Sequence, residues 1–204
     1  MRTGKKTSRG PSRGDLTAAL NFFAEAGLLK KVKRSGWWVA GIKDPESVAE
    51  HSFRTAVIGF YLAYLEGVDP FQVMTMCLFN DIHEARINDL HKMGHFYINF
   101  KEAEKKVFAD QMKALAPSVR KKLEEFRRHY DDQQSPESLV ARDADILECL
   151  LQAKEYYDEG YLGARLFFAR APKFLKSAGA RKLWGQIRRW KSHGWWQNVV
   201  SFQR

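Results

Sequence analysis

The 204-residue sequence holds only two cysteines, Cys77 and Cys149, and six prolines. Two thiols exclude a disulfide framework and a thiolate zinc cluster, and they fit a reducing cytoplasm. No run of 18 apolar residues occurs, which excludes a transmembrane helix and predicts no membrane partner. The first residues are basic, but no apolar stretch follows them, so they do not read as a secretory signal. Neither an alternating apolar–polar pattern of useful length nor an internal repeat is present, which leaves little room for a sheet or a solenoid. With 45% hydrophobic, 13% aromatic and 28% charged residues, the chain is neither wholly disordered nor collagen-like. Its length suits one domain, or one domain with tails, and can bury a core without disulfide or metal staples.

Acid is missing from both ends. Residues 1–14 carry Arg2, Lys5, Lys6, Arg9 and Arg13, and residues 160–204 carry ten basic residues; neither stretch has an acid. The body between them holds 19 basic and 24 acidic residues, a net of −5 inside a chain of net +10. An acidic body with basic ends is attracted loosely to polyanions, although no nucleic-acid-reading motif accompanies the charge. The Gly/Ser/Pro-rich residues 1–14 read as a disordered basic tail. Residues 15–160 read as a helical body, and 161–204 as a basic, Trp-rich helical extension packed on it. In that extension Trp184, Trp190, Trp195 and Trp196 read as packing residues.

Punctuation along the chain predicts an all-α fold. Asp15 caps a helix ending at Gly27, and residues 30–43 are a connector. Asp44-Pro45-Glu46 starts a helix to about Glu66, and Asp69-Pro70 starts another to about Arg86. A loop holding Asn88, Asp89 and Gly94 follows. Further helices are expected over 101–115, 118–130, 136–159 and 180–191.

Several polar residues fall on apolar stripes. His51 lies in the row Val48, His51, Thr55, Ile58, Leu62. Asp81 lies in the row Met74, Cys77, Leu78, Asp81, Ala85, with Asn80 and Glu84 on its flank. Asp143 and Asp145 precede the apolar run Ile146–Leu151, and Glu148 is one turn past Asp145. A buried carboxylate must be paired, hydrogen-bonded or metal-bound. Singly, His51 reads as a satisfied core histidine and the aspartates as caps or partners of Arg86 or Arg142. Convergence of one histidine and two aspartates from three core-facing segments is the pattern by which helix bundles hold a divalent ion. Nitrogen and oxygen donors without thiolate suit Mn, Mg, Co, Fe or Zn.

Three stretches carry a resemblance: Pro45-Glu46-Ser47-Val48-Ala49-Glu50-His51-Ser52, Asn80-Asp81-Ile82-His83-Glu84-Ala85-Arg86-Ile87-Asn88-Asp89, and Asp143-Ala144-Asp145-Ile146-Leu147-Glu148 with Leu151–Tyr156 after it. Over about residues 15–160 the sequence resembles the HD-domain metal-dependent phosphohydrolases, in particular their 5′-deoxynucleotidase branch. The resemblance implies a helical HD bundle, a divalent metal held by His51, Asn80, Asp81 and Asp145, and a homo-oligomer. It implies that Glu84 orients or deprotonates the attacking water and that Asp89 is a second acid. It places Lys31, with Arg34 as its neighbour, on the substrate phosphate, and it implies a nucleoside 5′-monophosphate as substrate. The sequence departs from the family at Asn80, where the paired histidine belongs. An amide oxygen ligates hard cations but is a poorer donor to transition metals than imidazole. Three outcomes follow: a weaker or Mn/Mg-preferring site, a substitute histidine among His83, His91 and His95, or a catalytically weakened fold that binds nucleotide or nucleic acid. Another phosphoryl substrate, such as a nucleoside triphosphate or cyclic nucleotide, is a further alternative.

Overall fold

A computed structural model describes residues 12–198. Among the described residues there is no named strand, only an isolated bridge between Lys33 and Ser47, so the all-α expectation holds. Helix α1 spans Arg13–Leu28. Its cap is Ser12, not Asp15: Ser12 Oγ accepts from the Asp15 N–H at 3.1 Å and the Asp15 carboxylate accepts from the Ser12 N–H at 2.9 Å. This reciprocal box satisfies two otherwise orphaned donors and starts the helix inside the segment expected to be a tail. The rest of that expected tail, residues 1–11, lies outside the described residues.

A short helix α2 (Gly36–Val39) interrupts the expected connector. Helix α3 (Val48–Glu66) begins after Ser47, whose side chain forms a capping box with Glu50. The Asp44-Pro45-Glu46 start signal is overridden because this stretch is pinned to the preceding segment. The Arg34 N–H donates to the Glu46 carbonyl at 3.0 Å, and the Val48 N–H to Val32 at 2.8 Å. Helix α4 (Pro70–Phe79) starts at the Asp69 cap as expected. It stops at Phe79 rather than reaching Arg86. The Arg127 guanidinium takes the Asn80 carbonyl at 3.0 Å, and the backbone tightens into i,i+3 bonds such as Glu84 N–H to Asp81 O at 3.0 Å. The chain turns through residues 80–83 and resumes as α5 (Glu84–Ile87). The expected loop after it contains α6 (Lys92–Tyr97), capped by His91.

Helices α7 (Phe100–Lys113), α8 (Pro117–Asp132) and α9 (Pro136–Asp158) match their expected spans within two residues. Helix α10 (Arg165–Arg170) is flanked by 3-10 turns Leu162–Ala164 and Ala171–Phe174, and α11 spans Ala178–Ile187.

Helices α3, α4 and α9 form the centre. Gly59 lets α3 approach α4: a Cβ there would lie 2.8 Å from Cys77 Sγ and 3.1 Å from Val73 Cγ1. Leu62, Ala63, Val73, Met76, Ala144, Leu147 and Leu150 fill the seam, each large side chain contributing about 1.5–3 kcal/mol by burial. A second cluster joins α1 and the 29–32 turn to Val48, Ile82, α7 and α8. The C-terminal segment packs on α9. Asp143, fully buried, accepts from the backbone N–H groups of Lys176 (2.8 Å) and Ser177 (2.6 Å) and moors that segment. Trp184 is a packing residue as expected, whereas Trp195 and Trp196 are exposed.

Candidate metal centre

His51 is on the second turn of α3, on the buried face with Val48, Ser52 and Thr55. Its Nδ1 makes a close hydrogen bond to Glu148 Oε2. The other carboxylate oxygen of Glu148 accepts from Arg54 Nε at 2.9 Å, and Arg54 continues to Glu155 and Gln152. A carboxylate on Nδ1 fixes that nitrogen as the donor and leaves the Nε2 lone pair on the opposite edge.

Nε2 faces Asp81 Oδ2 at 3.5 Å and Asp145 Oδ1 at 3.2 Å. The outer oxygen of each aspartate is already engaged. Asp81 Oδ1 accepts from Asn80 Nδ2 at 2.7 Å. Asp145 Oδ2 accepts from Arg142 Nη1 at 2.8 Å and from the Tyr130 hydroxyl at 3.4 Å. One ring nitrogen and two inward carboxylate oxygens thus meet, brought by α3, the 80–83 turn and α9. Two anionic oxygens facing a lone pair need a cation between them. Neighbouring ligands about 2.1 Å from one ion stand about 3.0–3.4 Å apart at octahedral or tetrahedral angles; the Asp145 spacing from Nε2 falls in that range and the Asp81 spacing lies just beyond it. The donor set therefore fits a divalent metal. Burial and Arg34 oppose a second proton on His51, but Glu148 and Asp145 raise the imidazole pKa to about 10; a bound cation would stand in place of that proton at Nε2.

Glu84, first residue of α5, is buried, and its Oε2 has no hydrogen-bond partner among the described residues. Burial, then the neighbouring charges of Asp81 and Asp89, push its carboxyl well above the usual range. Asp89 follows Asn88, which turns the chain at φ 61°, and accepts from the Ser35 N–H at 2.8 Å. Burial raises its pKa against the pull of Arg34 and Ser35. Arg34 is largely buried and within electrostatic reach of Asp89, Asp81 and Asp145. Lys31, three residues earlier, is exposed. The structure therefore gathers His51, Asp81, Asp145, Glu84, Asp89 and Arg34, and leaves Lys31 on the surface.

Asn80 is beside the cluster but spends its amide N–H on Asp81, so its observed contact holds a carboxylate. The alternative histidines are engaged elsewhere. His83 faces Arg127 and Glu104 (3.3 and 3.5 Å), His91 caps α6, and His95 meets the Leu90 carbonyl at 2.8 Å. Glu46, His51 and Glu148 form another acid-rich trio, with ligand atoms within 4.8 Å of one another. Glu46 already receives the Trp37 indole N–H at 2.9 Å. Burial and Glu148 raise its carboxyl to about 7, and Arg54 balances Glu148, so this trio acts as the counter-charge network around His51. In the sequence, Glu148 falls on the right helix without a role and Arg142 is a candidate aspartate partner, as its contact with Asp145 bears out, whereas Arg54 and Tyr130 were missed. The 145, 148, 152, 155 spacing, one face of α9 meeting Arg54, was the available signal.

Fold and site together define a helical-bundle protein built to hold a divalent cation with nitrogen and oxygen donors. The HD domain family matches residues 26–184, and the chain belongs to that family. It is 32% identical over 147 residues to the 5′-deoxynucleotidase HDDC2 of Dictyostelium discoideum, covering 67% of this chain and 76% of that protein. It is 29% identical to the human 5′-deoxynucleotidase HDDC2 over 148 residues, 72% of each chain. The solved structure of a Pyrococcus horikoshii OT3 protein superposes with a TM-score of 0.73 at 27% identity, covering 84% of this chain and 99% of the other.

Proposed function

We propose that the protein is a metal-dependent phosphohydrolase that converts nucleoside 5′-monophosphates, deoxynucleotides in particular, to nucleoside and phosphate. The observation that carries this reading is the meeting of His51 Nε2, Asp81 Oδ2 and Asp145 Oδ1 beside the unpartnered carboxylate oxygen of Glu84. Relatives named 5′-deoxynucleotidases supply the substrate class. His51, Asp81 and Asp145 would hold the ion, with the Asn80 amide oxygen as an added donor. When bound, a divalent cation supplies Lewis acidity to the phosphate and to an adjacent water; Mn, Co, Mg, Fe and Zn all suit these donors.

This chain's own groups do the rest. Glu84, whose carboxyl would be drawn back to its ionised form beside a bound cation, accepts the proton of the attacking water, whose oxygen bonds to phosphorus as the bond to the 5′-oxygen breaks. Asp89, held by Ser35 and inclined by burial to keep a proton, donates it to that departing oxygen. Arg34, not Lys31, balances the phosphate charge. The contact between Asn80 and Asp81 favours retention of a working carboxylate over a dead site. Phosphate release from a panel of deoxy- and ribonucleoside mono- and triphosphates with added Mn²⁺ or Co²⁺ tests the reading. Turnover of 5′-monophosphates, lost in Glu84→Gln, supports it; no release from any nucleotide, or release only from triphosphates, overturns it.

The homo-oligomer belongs to the same proposal. Phe53, Val57, Tyr61 and Tyr64 form an exposed apolar stripe along α3, and Phe60 ring contacts with Tyr64 and Phe71 extend it onto α4. The stripe offers on the order of 600 Å², with aromatic side chains of about 200 Å² each, against roughly 800 Å² per partner in a stable dimer. A second copy of this chain is its occupant. Both cysteines are free, which fits the cytoplasm. No helix of the described residues is long and apolar enough to cross a membrane. The two basic ends, residues 1–14 and the C-terminal segment with its exposed cations, suit a weak polyanion contact.

A further inference from the structure

Within residues 161–176, positions 162–174 form consecutive helical turns: a 3-10 turn, α10, and a second 3-10 turn. One side of this stretch is fixed to the body. Phe167 packs on Trp37 with centroids 4.4 Å apart, Phe168 meets Trp184 and Tyr157, and Ala164 and Leu175 are buried. Gly163 sits so close to α2 that a Cβ would lie 2.5 Å from the Ala40 carbonyl oxygen. The other side is open, and its residues come in pairs at helical spacing: Tyr161 and Leu162, Arg165 and Leu166, Ala169 and Arg170, Lys173 and Phe174. Leu162, Leu166 and Phe174 are 72%, 70% and 60% exposed.

No acidic residue occurs from 160 to 204. The cations beside these apolar side chains are therefore not neutralised from their own segment, and Arg181, Lys182, Arg188, Arg189 and Lys191 on and after α11 are exposed as well. A face kept only for solubility mixes both signs of charge and does not carry large exposed aliphatics. Single-stranded nucleic acid is gripped by cations with flat aromatic stacking surfaces; Tyr161 and Phe174 are exposed rings on this face, but its most exposed apolar side chains, Leu162 and Leu166, give a base nothing to stack on. An anionic lipid surface takes both features at once: leucine and phenylalanine enter the acyl boundary while arginine and lysine face the headgroups.

We propose that the outer face of residues 161–176 docks peripherally on an anionic phospholipid bilayer, with Leu162, Leu166 and Phe174 as the inserted side chains and Arg165, Arg170, Lys173 and Lys176 as the headgroup contacts. This departs from the expectation of no membrane partner, which rested on spanning segments alone. The proposal is independent of the hydrolase reading, because none of these residues touches the metal centre.

Co-sedimentation of the full chain with vesicles of phosphatidylcholine mixed with phosphatidylserine, and with pure phosphatidylcholine vesicles, tests it. Binding is expected to the mixed vesicles only. Arg165→Gln with Arg170→Gln lowers the partition coefficient about thirtyfold at low salt, each cation near an anionic leaflet being worth about a factor of five. Leu162→Ser with Leu166→Ser lowers it by about tenfold or more, with helix content and metal content unchanged in both variants. Failure to bind mixed vesicles overturns the proposal. So does binding indifferent to the leucine pair, or a preference for single-stranded oligonucleotide that vesicles do not displace.

Discussion

Glu148→Gln removes one charge and almost no volume from the wall of the metal centre. The Glu148 side chain is fully buried, and its two oxygens serve two donors, His51 Nδ1 and the Arg54 guanidinium. Glutamine has one acceptor for these two. If its oxygen stays with Arg54, its NH₂ faces Nδ1 and drives the ring proton to Nε2, the nitrogen that must present a lone pair to the ion. If its oxygen stays with His51, Arg54 loses one of its two carboxylates and keeps Glu155 and Gln152. Loss of such a partner behind a metal-ligating histidine costs 10- to 100-fold in metal affinity, equivalent to about 1.4–2.7 kcal/mol. The metal-free protein loses about 1–3 kcal/mol from the mismatched buried donor. Competition titration against a chromogenic chelator gives the first quantity and chemical denaturation the second. A folded Glu148→Gln protein that binds Mn²⁺ or Zn²⁺ within twofold of the parent refutes the assignment of Glu148 as the group that orients His51.

Other outcomes follow from neighbouring contacts. Glu25 on α1 pairs with Arg86 on α5 and accepts from Gln111 Nε2 at 2.8 Å. Although burial opposes it, these contacts hold the Glu25 carboxyl below its ordinary value of 4.5. A depressed folded pKa stabilises the protein above about pH 4.5 and loses that contribution as pH falls through the folded pKa. Glu25→Gln should thus cost about 1 kcal/mol at pH 7, discounted because Arg86 is partly exposed, and the gap to the parent should close in denaturation curves taken below pH 4. Asn80→His places an imidazole where the family carries one. It should tighten Zn²⁺ or Co²⁺ by about tenfold or more relative to Mg²⁺ in chelator titrations, and an unchanged preference would show that position 80 does not reach the ion. Tyr61→Glu in the α3 stripe should shift the protein towards monomer in analytical ultracentrifugation without changing metal content.

Most of the helical framework was legible in the sequence because its signals are local. Asp69-Pro70, Pro117 and Pro136 fix helix starts through capping and proline geometry. The errors arose where a distant group overrode a local one. Arg127, on α8, captures the Asn80 carbonyl and helps break the helix expected to run to Arg86. The pairing of residues 32–34 with 46–48 keeps Asp44-Pro45-Glu46 out of the helix and moves the start of α3 to Val48. The same pairing explains the phosphate-side cation. Lys31 and Arg34 are equivalent in a linear reading, and only the bonds to Glu46 and Val48 decide that Arg34 turns inward. His51, Asp81 and Asp145 were readable as polar residues on apolar stripes. Arg142 was readable as a candidate aspartate partner and Glu148 as a residue one turn past Asp145, whereas Arg54 and Tyr130 lie on other helices and became visible only with the tertiary packing.

In the proposed hydrolase, His51, Asp81 and Asp145 together hold one divalent ion. Elemental analysis of the protein after Mn²⁺ or Zn²⁺ loading and desalting, run beside Asp81→Ala and Asp145→Ala, tests it most directly. One ion per parent chain is expected, with none retained by either folded variant. An empty parent, or a variant that keeps its full complement, would contradict it.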